Sequence, residues 1–446
     1  MTNTANPAQP PITVVDSIMG SGKTTFAIGY MNASHEKNLQ DAFGELPGDR
    51  RFLYVTPLLS EVERVQKACG GLQFRDPVPI HGRKFYHLEQ LIDAGENVAT
   101  THTLFSLLSP AIYKRLKEQN YTLVIDEVLS CCDHFTGLSK DDRKMLFEGG
   151  HVFVDAATSR LRWNHAKWAS YRGEFEQVRN LCDNGNLVAY VPKGAPSKDA
   201  MVILWQFPSE FLQCFSRVMV LTYLFHGSPM RSYLEAEGLT FDMRSVGKSG
   251  LLVPWEENVE RETKAKLRQL VTIYEGKLNA IGTPKNRENP LSSSWFKRAP
   301  ASAFNQLRQA TMSWFKLHAK TAPALNAWTT FKERRADLRG VRYGKEEHWI
   351  PLNAKATNDY REKRSLAYLA NRFSLPVIKS YFAERGVLVN DDLYALSEMA
   401  QWIWRSAIRE GQPIKVYVPS DRMRGLLRQW LACDDTLTFV RATTAA

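Results

Sequence analysis

The sequence predicts an α/β protein with two parallel sheets in tandem, each carrying insertions. Short β-branched runs alternate with helix-length segments through the first half, a glycine-rich turn joins the first run to a helix, and a strand–helix unit recurs near the C-terminus. A chain of 446 residues also exceeds one typical core.

Residues 1–11, polar and proline-rich, read as a disordered arm and not as a signal peptide. Ile12–Val15 is the first strand, and a helix begins near Lys23. Further strands are expected at Phe52–Thr56, Val98–Thr101, Leu123–Asp126 and Val218–Thr222. The 95 residues between Asp126 and Thr222 exceed one crossover, so residues 134–200 read as an insertion in a first domain spanning 12–245. A second domain spans 246–446: LLVPW after Gly250 could open its sheet, and Ile414–Val418 with a helix through Leu431 closes it.

The second domain contains a basic, aromatic-rich insertion at 283–348. Between Thr283 and Arg342 twelve Lys or Arg face three acids, interleaved with Trp295, Phe296, Phe304, Trp314, Phe315, Trp328 and Phe331. That combination suits a single-strand groove and equally a buried core with a solvated charged face.

A net charge of +11 points to a polyanionic partner. No apolar run approaches the ~18 residues of a membrane span, so no membrane partner is expected. Six cysteines without a C-x-x-C pair argue against a zinc cluster or a disulfide framework, and a cytoplasmic location follows.

Ser17-Ile-Met-Gly20-Ser21-Gly22-Lys23-Thr24 lies between a strand and a helix, the context of a phosphate-binding loop. Gly20, Ser21 and Gly22 offer backbone N–H groups, Lys23 can neutralise the outer phosphates of ATP, and Thr24 can hold Mg²⁺, with Thr25 beside it. Leu123-Val-Ile-Asp126-Glu127 adds a carboxylate for Mg²⁺ (Asp126) and one to direct the attacking water (Glu127).

Taken in order, SIMGSGKTT and VIDEV resemble motifs I and II of superfamily 2 helicases, specifically the DEAD/DEAH-type proteins of phage and prophage replication regions. Those helicases commonly have a small residue where Ser17 stands, whereas the DEVL ending departs from the named boxes. The resemblance implies two RecA-like domains. It also assigns nucleic-acid contacts to Thr56 and Pro57, to Thr101 and His102, and to Thr357 and Asn358, and coupling between the domains to Thr222. Gln401, Arg405 and Arg409, one helical turn apart each, resemble motif VI, with either arginine as the finger that reaches the γ-phosphate.

The implied activity is an ATP-dependent helicase or translocase on single-stranded or forked DNA, working with replication proteins. The alternative is a nucleotide-gated DNA-binding or loading factor without processive unwinding.

Overall fold

The computed structural model describes residues 12–40, 51–194, 200–257, 260–286, 288–353 and 359–444, the side chains of 38–40 and 444 excepted. Its principal sheet has seven strands in the order Leu252–Pro254, Phe241–Val246, Ile12–Asp16, Arg217–Thr222, Tyr121–Asp126, Arg51–Thr56 and Val98–Thr101. All neighbours are parallel except the outermost Leu252–Pro254 strand. Val14, Leu53, Leu123 and Val220 are fully buried in the core on one face, and Val15, Tyr54 and Val124 in that on the other. Burial on both faces explains the continuous apolar runs in these strands.

Leu252–Pro254 corrects one expectation. It opens no second sheet but turns back antiparallel on Phe241–Val246, closing the edge of the first. The second sheet is parallel throughout and runs Val271–Ile273, Ile414–Tyr417, Ser365–Tyr368, Asn326–Thr329. Two parallel sheets in tandem are thus present, as the sequence predicts.

The stretch 283–348 is also not wholly an insertion, because Asn326–Thr329 is a fully buried strand of this second sheet. Its composition, Asn-Ala-Trp-Thr, is half polar and so does not announce a buried strand. The aromatics around it are core: Phe296, Trp314, Phe315 and Trp328 are buried together, with Trp295, Phe304 and Phe331 packed against them. They do not line a base-stacking groove.

Within 134–200 the chain forms a hairpin, Val152–Val154 with Leu161–Trp163, and its strand Leu187–Tyr190 joins the flanking strands Val202–Gln206 and Cys132–His134 in a three-stranded antiparallel sheet. Leu146, Val152, Trp163, Val178 and Ile203 make this segment's own small core.

Side chains cross between the halves. Tyr381 and Phe382 of the second half join the first core, and the Tyr381 hydroxyl donates to Gln206 Oε1 at 2.8 Å. Ile18, Met19, Tyr223 and Leu224 of the first half pack with Leu393, Leu396, Met399 and Ala400 of the helix Asp391–Trp404.

Candidate functional site

Register places Asp16 opposite Thr222, and Leu221 opposite Asp126, so three strands end together at the carboxyl edge of the main sheet. That edge is where parallel α/β sheets form sites. The loop after Asp16 turns through Gly20 (φ +80°) and Gly22 (φ +89°), left-handed values that cost a residue with a Cβ. Lys23 then begins the helix Lys23–Gln40, as expected.

Ser17, at the first loop position, is buried; it shares a hydrogen bond with Ser245 Oγ at 2.7 Å and accepts from the Val246 N–H at 2.8 Å. It ties the loop to the neighbouring strand, a task a glycine could not perform. Lys23 Nζ donates to the carbonyls of Ser17 (2.6 Å) and Ile18 (3.2 Å). Burial lowers the Lys23 pKa, with Glu127 and then Asp16 opposing. Ser21 Oγ is buried without a hydrogen-bond partner.

Asp126 Oδ2 accepts from Thr24 Oγ1 at 3.1 Å and from the Tyr54 hydroxyl at 2.6 Å. Burial, then the charge of Glu127, pushes the Asp126 carboxyl up to about 6, against those hydrogen bonds. Glu127 itself has a left-handed backbone, φ +66°, held by its N–H donating to Leu221 O at 2.9 Å. Such strain in a residue with a Cβ collects at functional positions.

The opposite wall comes from the other half of the chain. Gln401, Trp404, Arg405 and Arg409 line a cavity of about 320 Å³ together with Gly20, Gly22, Lys23, Thr24, Thr25, Asp126 and Glu127. Thus the nucleotide-loop, acid-pair and arginine residues singled out from sequence meet in one place, Ser21 alone not reaching the cavity wall.

One local expectation is corrected: Arg405 and Arg409 do not continue the helix. It stops at Trp404, Arg405 caps it, Ser406 is extended, and Arg409 follows on a 3₁₀ turn Ala407–Glu410. Arg405 is 6% exposed, donates to Gln401 O at 2.8 Å, and keeps a buried Nε without a partner. Burial lowers its pKa, and the Glu127 charge opposes that most. Glu398 pairs with Arg372 at 3.2 Å and not with Arg405.

Sequence reasoning missed Tyr54, Glu61, Arg64 and Trp404. Glu61 and Arg64 pair at 3.0 Å on the cavity wall. Trp404 lies so close over Gly20 that a Cβ there would meet its ring at 2.6 Å. The only sequence signal for Trp404 is its position three residues after Gln401, on the same helix face.

Thr222 is buried, its hydroxyl unpartnered, and its carbonyl accepts from Ser17 N–H at 3.1 Å. The residue that reaches the second half is its neighbour. Tyr223 accepts from Trp430 Nε1 at 2.6 Å, bonds Thr436 Oγ1 at 2.9 Å, and its carbonyl accepts from Ser397 Oγ at 3.3 Å.

Pro57 and His102 line a separate groove of about 660 Å³ with Asn353 of the second half. His102 Nε2 sits 2.9 Å from the Asp126 carbonyl oxygen, linking groove and cavity. Thr101 caps the short helix His102–Phe105. Thr56 is fully buried, so the side chain expected to touch a strand is turned into the protein. Thr357 and Asn358 lie outside the described residues.

Asp16 is 1% exposed and accepts from the N–H groups of Leu224 (2.9 Å) and Phe225 (3.1 Å). Burial, then Glu260, pushes it up to about 7. A carboxyl whose folded pKa is raised binds its proton more tightly folded than unfolded, so stability increases as pH falls through that value. We expect Asp16 to contribute about 1 kcal/mol of added stability between about pH 8 and pH 6. Lys264, held down to about 7 by burial, has the opposite slope above that pH. The readout is therefore the difference between wild type and Asp16→Asn in urea midpoint against pH; equal slopes would contradict the assignment.

Among the described residues no helix is long and apolar enough to cross a membrane. The family profile of the YonV C-terminal Rossmann-like domain matches residues 265–431, and that of the YonV middle domain matches 134–205. The SPbeta prophage-derived uncharacterized protein YonV of Bacillus subtilis (strain 168) is 36% identical over 433 residues, covering 94% of this chain and 98% of its own length. A solved structure, that of S. tokodaii Xpd4, covers 94% of each chain at 12% identity and a TM-score of 0.36. The 36% identity to the YonV protein, over nearly the full length of both sequences, makes this chain a member of the YonV family.

Proposed function

We propose that the chain is a nucleic-acid-dependent ATPase of the superfamily 2 type, a helicase or translocase acting on DNA. One observation carries the proposal: Gln401, Arg405 and Arg409 of the second half enter the same cavity as Lys23, Thr24, Asp126 and Glu127 of the first. A site built from two halves can change when they open and close, which is what motion along a strand requires.

The residues fit Mg²⁺ and ATP. Thr24 Oγ1 and Asp126 Oδ2, hard oxygen donors 3.1 Å apart, would hold the metal, and an ion that keeps several waters needs no larger protein cage. Bound there, Mg²⁺ would offset phosphate charge. Lys23 exchanges the carbonyls of Ser17 and Ile18 for phosphate oxygens. Glu127 orients the attacking water and receives its proton. Arg405, whose Nε lacks a partner, supplies donors to charge developing on the transferred phosphoryl group. Closure excludes water, and Tyr223, bonded to Trp430 and Thr436, carries the change into the second half.

The groove lined by Pro57, His102 and Asn353 is the proposed track. We name DNA because the similar YonV protein is prophage-derived. The test is displacement of a labelled strand from forked DNA with Mg·ATP, beside Glu127→Gln. We expect displacement by the wild type and none by the variant; DNA binding that responds to nucleotide without displacement or movement would favour the gated loading factor.

A further inference from the structure

A basic cavity lies in the C-terminal half, whereas no Lys or Arg lines the groove above. The cavity, about 870 Å³, is lined by Arg308, Arg339, Arg342, Lys345 and His348, and no carboxylate lines it. Glu346 and Glu347 face three of these groups from outside: Glu346 at 3.8 Å from Arg339, and Glu347 at 3.7 Å from Lys345 and 3.8 Å from His348 Nε2. Arg308 and Arg342 have neutral partners instead: Asn305 Oδ1 at 2.8 Å and the Thr321 carbonyl at 3.0 Å. Among the described residues neither has a carboxylate within ion-pair distance.

Two buried nitrogens at the cavity also lack partners. His348 is 2% exposed with Nδ1 unbonded, and the Nε of half-buried Arg342 is itself buried and unbonded. Buried polar atoms are mostly satisfied in a folded chain, so these two nitrogens leave hydrogen-bonding capacity that a ligand in the cavity can take up. Positive charge at Arg308 and Arg342, without counter-carboxylates among the described residues, selects an anion.

The ligand is extended rather than a lone phosphate. The guanidinium of Arg334, on a neighbouring 3₁₀ turn and paired with Asp337 at 3.3 Å, lies 5.4 Å from the ring centroid of Phe304, which stands one helical turn before Arg308, so a further cation flanks this helix beyond the cavity. Val341, 77% exposed, and Met312 and Pro323 add apolar contact beside the charges. Phosphate-binding cations beside apolar surface suit a single strand, whose unpaired bases need cover.

We propose that this cavity is a second anchor for single-stranded nucleic acid, holding its phosphodiester backbone through Arg308 and Arg342. The proposal deepens the nucleic-acid reading above and does not depend on ATP turnover.

The test is fluorescence anisotropy of a labelled oligo(dT) of ~20 nucleotides with the full nucleotide-free chain, at two salt concentrations. Arg308→Glu is expected to weaken binding by about tenfold or more and to flatten the salt dependence, with ATP turnover in the absence of nucleic acid unchanged. Lys345→Ala, at a largely exposed side chain, is expected to act in the same direction more weakly and serves if Arg308→Glu fails to fold. Wild-type affinity and salt dependence in both variants would overturn the anchor. So would loss of inorganic phosphate binding in the variants with oligo(dT) binding intact, which would mark a small-anion pocket. Oligo(dT) binding that the variants weaken, without stimulation of wild-type turnover, would retain the anchor and defeat the motor. Stimulation with unweakened binding in the variants would do the reverse, and no wild-type binding would defeat both.

Discussion

Lys23→Ala is expected to reduce ATP turnover by about two to three orders of magnitude, the loss of about 3–4 kcal/mol that follows removal of one preorganised donor to developing charge. Lys23 is the cation of the glycine loop, and burial disfavours its charge until an anion answers it. Its present bonds to the carbonyls of Ser17 and Ile18 hold it at the loop. The variant also loses those two bonds, so circular dichroism and the urea midpoint must accompany the turnover assay. A folded variant with near wild-type turnover would remove the glycine loop from the chemistry.

Arg405→Ala is expected to lower kcat by about a hundredfold or more while leaving nucleotide binding within a few-fold, the pattern of a group that acts in the transition state. Arg405→Lys recovers little, since an ammonium lacks the planar, multidonor guanidinium. Sequence left Arg405 and Arg409 equivalent; burial and an unpartnered Nε favour Arg405, while Arg409 is exposed. Arg409→Ala is expected to cost about tenfold, as one weaker charge contact would. Stopped-flow nucleotide binding with steady-state turnover separates the two; a larger loss in Arg409→Ala would exchange their roles.

The glycine loop and the acid pair were legible because each is a contiguous run whose local chemistry announces itself: two glycines at left-handed φ, a lysine opening a helix, two acids ending a buried strand. Strand–helix alternation was legible for the same local reason. What failed depended on distant contacts. Leu252–Pro254 has a strand's composition whichever sheet it joins, and only pairing with Phe241–Val246 decides. Trp314 and Trp328 lie among lysines and arginines, and periodicity alone does not tell a buried ring from one offered to a base. Trp404 and Tyr54 matter through Gly20 and Asp126, far away in sequence. The break after Trp404 arises because extended Ser406 ends a helix whose apolar spacing runs on through Ala407.

The account's central claim is tested most directly by steady-state ATP turnover of wild type and Glu127→Gln without nucleic acid and with single-stranded DNA, duplex DNA or single-stranded RNA, at two salt concentrations. It predicts stimulation of the wild type by single-stranded DNA, weakened by salt and abolished in Glu127→Gln. Turnover indifferent to every polymer, or preserved in Glu127→Gln, would contradict it.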